Sequence, residues 1–209
     1  SKGSGFATSQ AAVSQYYREW ADPWERQTLT RARLVGGDPR LGRVVRRELQ
    51  ALVYGARALP PDLKEMRALR DRMEKELGKE NPGRLHVKFG RGGLVDVEFI
   101  TQALQMLHGP GRPALRRANT ILALAAITDA GLLPREDGAA LALHYRFLRR
   151  VSAGLRLFGV RPADTLEPAG PIPGRLAKSL DYASRKEFLQ DYRRRTAWVR
   201  ALYERVVRP

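Results

Sequence analysis

The chain has 209 residues, 43% of them hydrophobic, a formal net charge of +16 and no cysteine. That is enough apolar material for one substantial core or two small helical bundles, and it excludes disulfides and thiolate metal sites. His86, His108 and His144 cannot by themselves supply a zinc cage, no run approaches the roughly 18 uninterrupted apolar residues of a membrane span, and no signal peptide precedes the first helix, so a cytosolic location is expected.

Helical periodicity dominates. Residues 9 to 20 place Ala12, Val13, Tyr16, Tyr17 and Trp20 on one face behind Thr8 or Ser9 as cap. Asp22-Pro23 starts a second helix, with Trp24, Gln27, Thr28, Arg31 and Val35 on a shared face and Gly36-Gly37 as its stop. Asp38-Pro39 repeats the start signal, and the next helix is expected to turn Leu41, Val44, Val45, Leu49, Leu52 and Val53 inward and Arg40, Arg43 and Arg47 outward. Pro60-Pro61 breaks the chain before a helix over 62 to 78, with Leu63, Met66, Leu69 or Arg70, Met73 and Leu77 along its seam.

Leu85-His86-Val87-Lys88-Phe89 alternates apolar and polar residues and reads as a short extended segment. Glycines at 90, 92 and 93 follow, then a helix burying Val97, Ile100, Leu104 and Leu107. Asn119-Thr120 and Gly131 bracket another helix, and Pro134 opens one running through Leu141, Tyr145, Leu148, Val151 and Leu155. Pro162, Pro168, Pro171 and Pro173 forbid a continuous helix between Arg161 and Gly174, a stretch that reads as a mobile loop. Ser184 with Glu187 forms a capping box for the last helix, whose seam is Phe188, Tyr192, Arg195, Val199, Leu202 and Val206, with Arg195 snorkelling at the bundle edge. The fold class is therefore all-α, a multi-helix bundle with one short extended segment near 85–89.

The charge first suggests a nucleic-acid binder, since lysine and arginine drive phosphate neutralisation. The arginines spread over nearly every helix, from Arg18 through Arg40, Arg43 and Arg47 to Arg193, Arg194 and Arg195, instead of gathering in one segment. A basic helical nucleic-acid-binding module therefore stands as the alternative and not as the leading reading. Metal-assisted nucleotidyl transfer needs paired carboxylates. Asp96-Val97-Glu98 is the nearest approach, but on a helix two residues apart point roughly 200° from each other and cannot grip one ion. Asp96 can instead cap free amides at the helix start, and Glu98 can favour the positive end of its dipole. Gly90-Arg91-Gly92-Gly93 has the wrong spacing for a dinucleotide or Walker loop, so a tight turn into the helix is the simpler reading; Lys88 and Arg91 flank it and could meet a phosphate or a partner's carboxylates. Arg31 or Arg33 should pair with a carboxylate from another element, or else reach a triphosphate held by a neighbouring domain.

Two runs carry a family resemblance. Trp24-Glu25-Arg26-Gln27-Thr28-Leu29-Thr30-Arg31-Ala32-Arg33-Leu34-Val35-Gly36-Gly37-Asp38 and Lys88-Phe89-Gly90-Arg91-Gly92-Gly93-Leu94-Val95-Asp96-Val97-Glu98-Phe99-Ile100-Thr101-Gln102 resemble, in the same order, two signatures of bacterial glutamine synthetase adenylyltransferases. Met66-Arg67 and Gln105-Met106-Leu107 also fit, and the likeness is weakest after Arg161. Gly3-Ser4-Gly5-Phe6-Ala7-Thr8-Ser9 resembles the tail of that family's nucleotidyltransferase core, and the start at Ser1-Lys2-Gly3 without methionine reads as an excised piece.

The resemblance implies residues 1–22 as linker and first helix after a missing catalytic core, and 23–209 as a helical regulatory domain shared with PII uridylyltransferases. Two sub-bundles split near 110–120 are the variant of that division, and the end at Arg208-Pro209 favours a C-terminal position. The intact protein would move AMP from ATP, with magnesium, onto a tyrosine of glutamine synthetase and remove it again, under control of glutamine and the PII signalling protein. This piece would be inactive alone, holding no metal or catalytic residue. Its motif residues Trp24, Glu25, Arg31, Arg33, Lys88, Gly90, Arg91, Gly92, Gly93, Asp96 and Glu98 would face the nucleotidyltransferase domain.

Overall fold

A computed structural model describes residues 8–55 and 63–208, so the expected Pro60-Pro61 break and most of the Gly3–Ser9 tail lie outside the described residues. The helices are α1 (Gln10–Glu19), α2 (Pro23–Thr28), α3 (Pro39–Tyr54), α4 (Leu63–Met73), α5 (Leu94–His108), α6 (Thr120–Asp129), α7 (Arg135–Leu157), α8 (Ile172–Ser179) and α9 (Arg185–Val206). A two-stranded ribbon, β1 (Leu85–His86) and β2 (Thr165–Leu166), is the only sheet among the described residues. The chain is all-α. No described helix is long and apolar enough to cross a membrane.

Helix α5 is the axis of the molecule. Twelve of its fifteen residues are buried, because it packs against α4, α6, α7 and α9 at once; a helix apolar on every side is stable only when neighbours cover every side. Val97, Ile100 and Leu104 enter the core as expected, whereas Leu107 stays 39% exposed near the helix end. From α7, Leu141, Leu148, Val151 and Leu155 are fully buried, and from α9 Phe188, Val199 and Tyr203 close the same cluster. Sequence caps hold where they can be checked. Asn119 Oδ1 accepts from the amides of Ile121 and Leu122, and Ser184 Oγ accepts from Glu187 N at 3.1 Å.

Four expectations need correction. The second helix does not reach Val35. After Thr28 it tightens into a 3-10 turn over Leu29–Arg31 and becomes extended at Ala32, as Thr28 and Thr30 turn their hydroxyls onto the carbonyls of Glu25 and Gln27 and compete with helical bonding. In α3 only Gly42, Val53 and Tyr54 are buried; the expected inward residues Leu41 and Val44 are 53% and 36% exposed. What joins α3 to α1 is polar: Glu48 accepts from Gln10 and Ser14 at 2.6 and 2.7 Å, and α1 itself buries no residue.

The proline-rich stretch is anchored in its middle. Leu166 is wholly buried, pairs opposite Leu85, and is preceded by Asp164, whose carboxylate accepts from Ser152 and, at 3.0 Å, from Arg156. Prolines do interrupt helix here, but two ladder residues and the short α8 beginning at Ile172 replace an unstructured loop. Lastly, Arg195 does not snorkel. Its guanidinium lies 4.7 Å over the Phe147 ring, donates to Asp191 at 2.6 Å, and meets His144 Nδ1 at 3.0 Å.

Burial, followed by the charges of Arg195 and Arg194, lowers the His144 pKa to about 4. An unfolded histidine takes its proton near pH ~6.5. Between these values the unfolded state binds more protons, so stability falls as pH drops from about 6.5 towards 4. The melting temperature should therefore fall more between pH 7 and pH 4.5 for the unaltered protein than for His144→Gln, which keeps an acceptor for Arg195 without titrating. Parallel slopes for the two proteins would contradict this.

Candidate functional site

The glycine turn that starts α5 is shaped by close approach. Gly92 has φ +70°, and a Cβ there would lie 1.8 Å from the Thr196 carbonyl oxygen of α9; a Cβ on Gly93 would come within 2.7 Å of the Val87 carbonyl. These positions exclude any side chain. The amides of the turn are not free to receive an anion: Arg91 N donates to Glu80 Oε2 and Gly92 N to Asp96 Oδ2, both at 2.8 Å. Gly90 N goes to His86 O at 2.7 Å, and Glu80 Oε1 also accepts from His86 N at 2.8 Å.

Asp96 is fully buried. Besides the Gly92 amide it accepts from Nε of Arg70, itself 0% exposed, and lies 3.5 Å from Arg200. Arg70 also donates to Gly90 O at 2.7 Å and sits 3.3 Å from Glu74. Arg200 extends the network to Glu74 and Glu204 at 3.0 and 2.9 Å. Burial works against the Arg200 cation, but the Glu204 hydrogen bond and the charges of Asp96 and Glu74 outweigh it and raise its pKa. Asp96 does not cap the first-turn amides of α5, which go to the carbonyls of Val87, Lys88 and Gly93; its carboxylate takes the Gly92 amide ahead of the helix and ties α4, the glycine turn and α9 to the start of α5. Arg91 closes the edge on Glu204 at 2.7 Å, and Lys88 Nζ rests 4.8 Å from the Phe89 ring centroid.

Glu98 points the other way, as the spacing requires. It pairs with Arg31 at 2.7 Å and accepts from the Tyr145 hydroxyl at 3.0 Å; burial, then the charge of Glu98, raises the Tyr145 pKa. Four residues along, Gln102 Oε1 accepts from Gln27 Nε2 at 2.6 Å. The two sequence runs therefore meet through Arg31–Glu98 and Gln27–Gln102. Of the other motif residues, Glu25 takes the Tyr16 hydroxyl and the Asp22 amide, and Trp24 is 47% exposed with its indole N–H on Asp22 at 3.2 Å. Arg33 is exposed and has no partner among the described residues.

The sequence places Arg70, Tyr145 and Gln27 only on helix faces and Gln102 only within its run; their polar partnerships, and Arg200 altogether, escaped the sequence reading. Arg70 gave a usable signal, since it sits four residues after Met66 and three before Met73 on the apolar stripe of α4, where an arginine must be paired. Among the described residues no cluster of three or more His, Asp or Glu is placed to hold a metal ion.

Residues 62–207 match the family model described as GlnD PII-uridylyltransferase, and residues 2–48 match that of glutamate-ammonia ligase adenylyltransferase. The chain is 39% identical over 193 residues to a bifunctional glutamine synthetase adenylyltransferase/adenylyl-removing enzyme of Streptomyces avermitilis, covering 90% of this chain and 19% of that protein. It is 34% identical over 204 residues to the Mycobacterium avium enzyme of the same name, covering 94% and 20%. The chain, an all-α unit centred on a glycine-turn helix, spans about a fifth of the length of these relatives. The chain belongs to the glutamine synthetase adenylyltransferase family and carries the helical domain which that family shares with PII uridylyltransferases.

Asp96→Ala leaves Arg70 buried without its main counter-charge and should lower the unfolding free energy by about 3–5 kcal/mol. Replacing both partners, Arg70→Met with Asp96→Leu, should recover part of that loss in urea denaturation. A double variant as unstable as the sum of its single variants would show that the pair is not coupled.

Proposed function

We propose that this chain is the helical half of a glutamine synthetase adenylyltransferase unit, and that it positions a nucleotidyltransferase domain against α1–α3 and the two joined motifs. The catalytic domain would hold ATP and magnesium on its own carboxylates, moving AMP to a tyrosine of glutamine synthetase and removing it, while the helical half transmits the state of partners such as the PII protein. Alone, the helical half would be inactive. The division into residues 1–22 as connecting segment and 23–209 as regulatory domain belongs to the same reading.

The observation that carries it is the apolar surface left open on the N-terminal segment. Trp20 is 65% exposed, Leu34 57%, Val35 86% and Leu41 53%, all within the residues that match the adenylyltransferase model. Exposed apolar residues this close together along the chain are of the kind that interaction surfaces present, and Arg33 stands among them without a partner among the described residues. A nucleic-acid module would need its cations gathered on one face, and it accounts for neither this surface nor the joined motifs.

Arg31 is the residue that tests the proposal, because its pair with Glu98 is partly exposed and such a bond is worth only about 0–1 kcal/mol to folding. In the intact enzyme Arg31→Ala should slow AMP transfer by about tenfold or more, roughly 1.4 kcal/mol of lost positioning, while the melting temperature moves by no more than a few degrees. A variant with unchanged transfer and a much lower melting temperature would make Arg31 purely structural.

A further inference from the structure

Helix α7 turns one side to the core and leaves the other uncovered. Leu141, Tyr145, Leu148, Val151 and Leu155 are buried, and the helix packs against α5, α6, α8 and α9. On the outward side Leu143, Arg150 and Leu157 recur every seven residues and so fall on one line, with exposed Arg146, Arg149 and Ala153 beside it. Leu143 is 58% and Leu157 82% exposed. Two aliphatic side chains thus stand in water about 21 Å apart along the helix axis, and three arginines lie between them.

Arg91, Arg156, Arg194 and Arg205 are exposed too, but they meet the carboxylates of Glu204, Asp164, Asp191 and Asp137 in turn. Arg146, Arg149 and Arg150 have no partner among the described residues. The acids of α7 are confined to its first turn, at Glu136 and Asp137, which leaves the rest of the outward side positive. A guanidinium without a counter-charge binds a carboxylate through two parallel hydrogen bonds. A nucleic-acid backbone would also satisfy the arginines, but it would leave Leu143 and Leu157 in water; a protein surface of acidic and apolar side chains covers both kinds of residue.

We infer that the outward side of α7 receives the protein that gains or loses AMP, through an acidic surface whose carboxylates meet Arg146, Arg149 and Arg150 and whose apolar residues cover Leu143 and Leu157. A catalytic domain joined to the same chain stays in place between turnovers and can be held by apolar contact. A protein substrate arrives and leaves at every turnover, and complementary charge speeds such encounters. A similar row of exposed arginines on α3, Arg40, Arg43 and Arg47, belongs to the surface already given to the nucleotidyltransferase domain. The row on α7 lies on the side away from Tyr145, through which that helix reaches Glu98 and Arg31, so it stays open when the domain docks. This inference rests on the proposed transferase function and adds the surface by which the protein substrate is held.

The test uses the intact enzyme with glutamine synthetase as the probe, in both AMP transfer and AMP removal. Arg146→Glu with Arg150→Glu should raise KM for glutamine synthetase about tenfold or more in at least one of the two reactions, with kcat and the melting temperature nearly unchanged. Arg146→Gln with Arg150→Gln, which removes the charges without reversing them, should give a smaller change in the same direction. In the unaltered enzyme that KM should climb steeply with added sodium chloride, and in the charge variants much less. Leu157→Ser should raise it while leaving the salt dependence intact. An unchanged KM in both reactions would overturn the inference. So would an unchanged KM with a lost response to the PII protein, which would give the surface to the regulator, or with lost binding of a DNA duplex, which would give it to nucleic acid. An unaltered enzyme that neither adds nor removes AMP would sink the transferase reading itself and this inference with it.

Discussion

Arg70 is shielded from water on every side, and a guanidinium so placed is tolerated only because Asp96, Gly90 O and Glu74 surround it. Most of the molecule's geometry depends on that enclosure. Asp96 can reach Arg70 and the Gly92 amide together only if the glycine turn is folded tightly onto the start of α5. The turn can be that tight only because Gly92 lets α9 approach to contact with its backbone. A single buried charge thus fixes the relative position of α4, α5 and α9, and a core of aliphatic residues fills in around it.

The opposite face of α5 shows how a strict helical repeat separates two tasks. Asp96 and Glu98 are two residues apart, so one side of the helix can hold the bundle together while the other holds the N-terminal segment through Arg31 and Gln27. Tyr145 braces Glu98 from α7, which ties the placement of Arg31 to the longest helix of the bundle. The two ion pairs differ in kind. Arg70–Asp96 is sealed from solvent, whereas Arg31–Glu98 is partly open and able to respond to whatever lies against it.

Much of this was legible in the amino-acid order because local rules and tertiary packing agreed. Asn119 and Ser184 cap the helices they precede, and Leu141, Tyr145, Leu148, Val151 and Leu155 face the core at helical spacing. That Arg31 or Arg33 should pair with a carboxylate from another element followed from charge chemistry, and the structure gives that pairing to Arg31. Other features depended on partners distant in the chain. The burial of Leu166 comes from Leu85 and the core beneath it, and no pattern within a proline-rich stretch announces a two-residue ladder. Likewise the apolar stripe of α3 is sound as a helix signal but says nothing about which neighbour covers it, and much of it is open. Arg200 lay hidden among the many arginines of α9, where its sequence neighbours give no sign that it is the one buried.

The unequal burial of the two ends sets the order in which the molecule opens. Helix α1 contributes no buried side chain and is held to α3 through Glu48 by two polar contacts with water nearby, whereas α5 and α9 share a continuous interior. Breathing motions therefore begin at the N-terminal helices, whose backbone amides should trade hydrogen for deuterium long before those of α5. In the proposed docking, a surface that loosens first would be one that the nucleotidyltransferase domain could seize and stiffen, giving that joint an adjustability that a fully packed interface would lack.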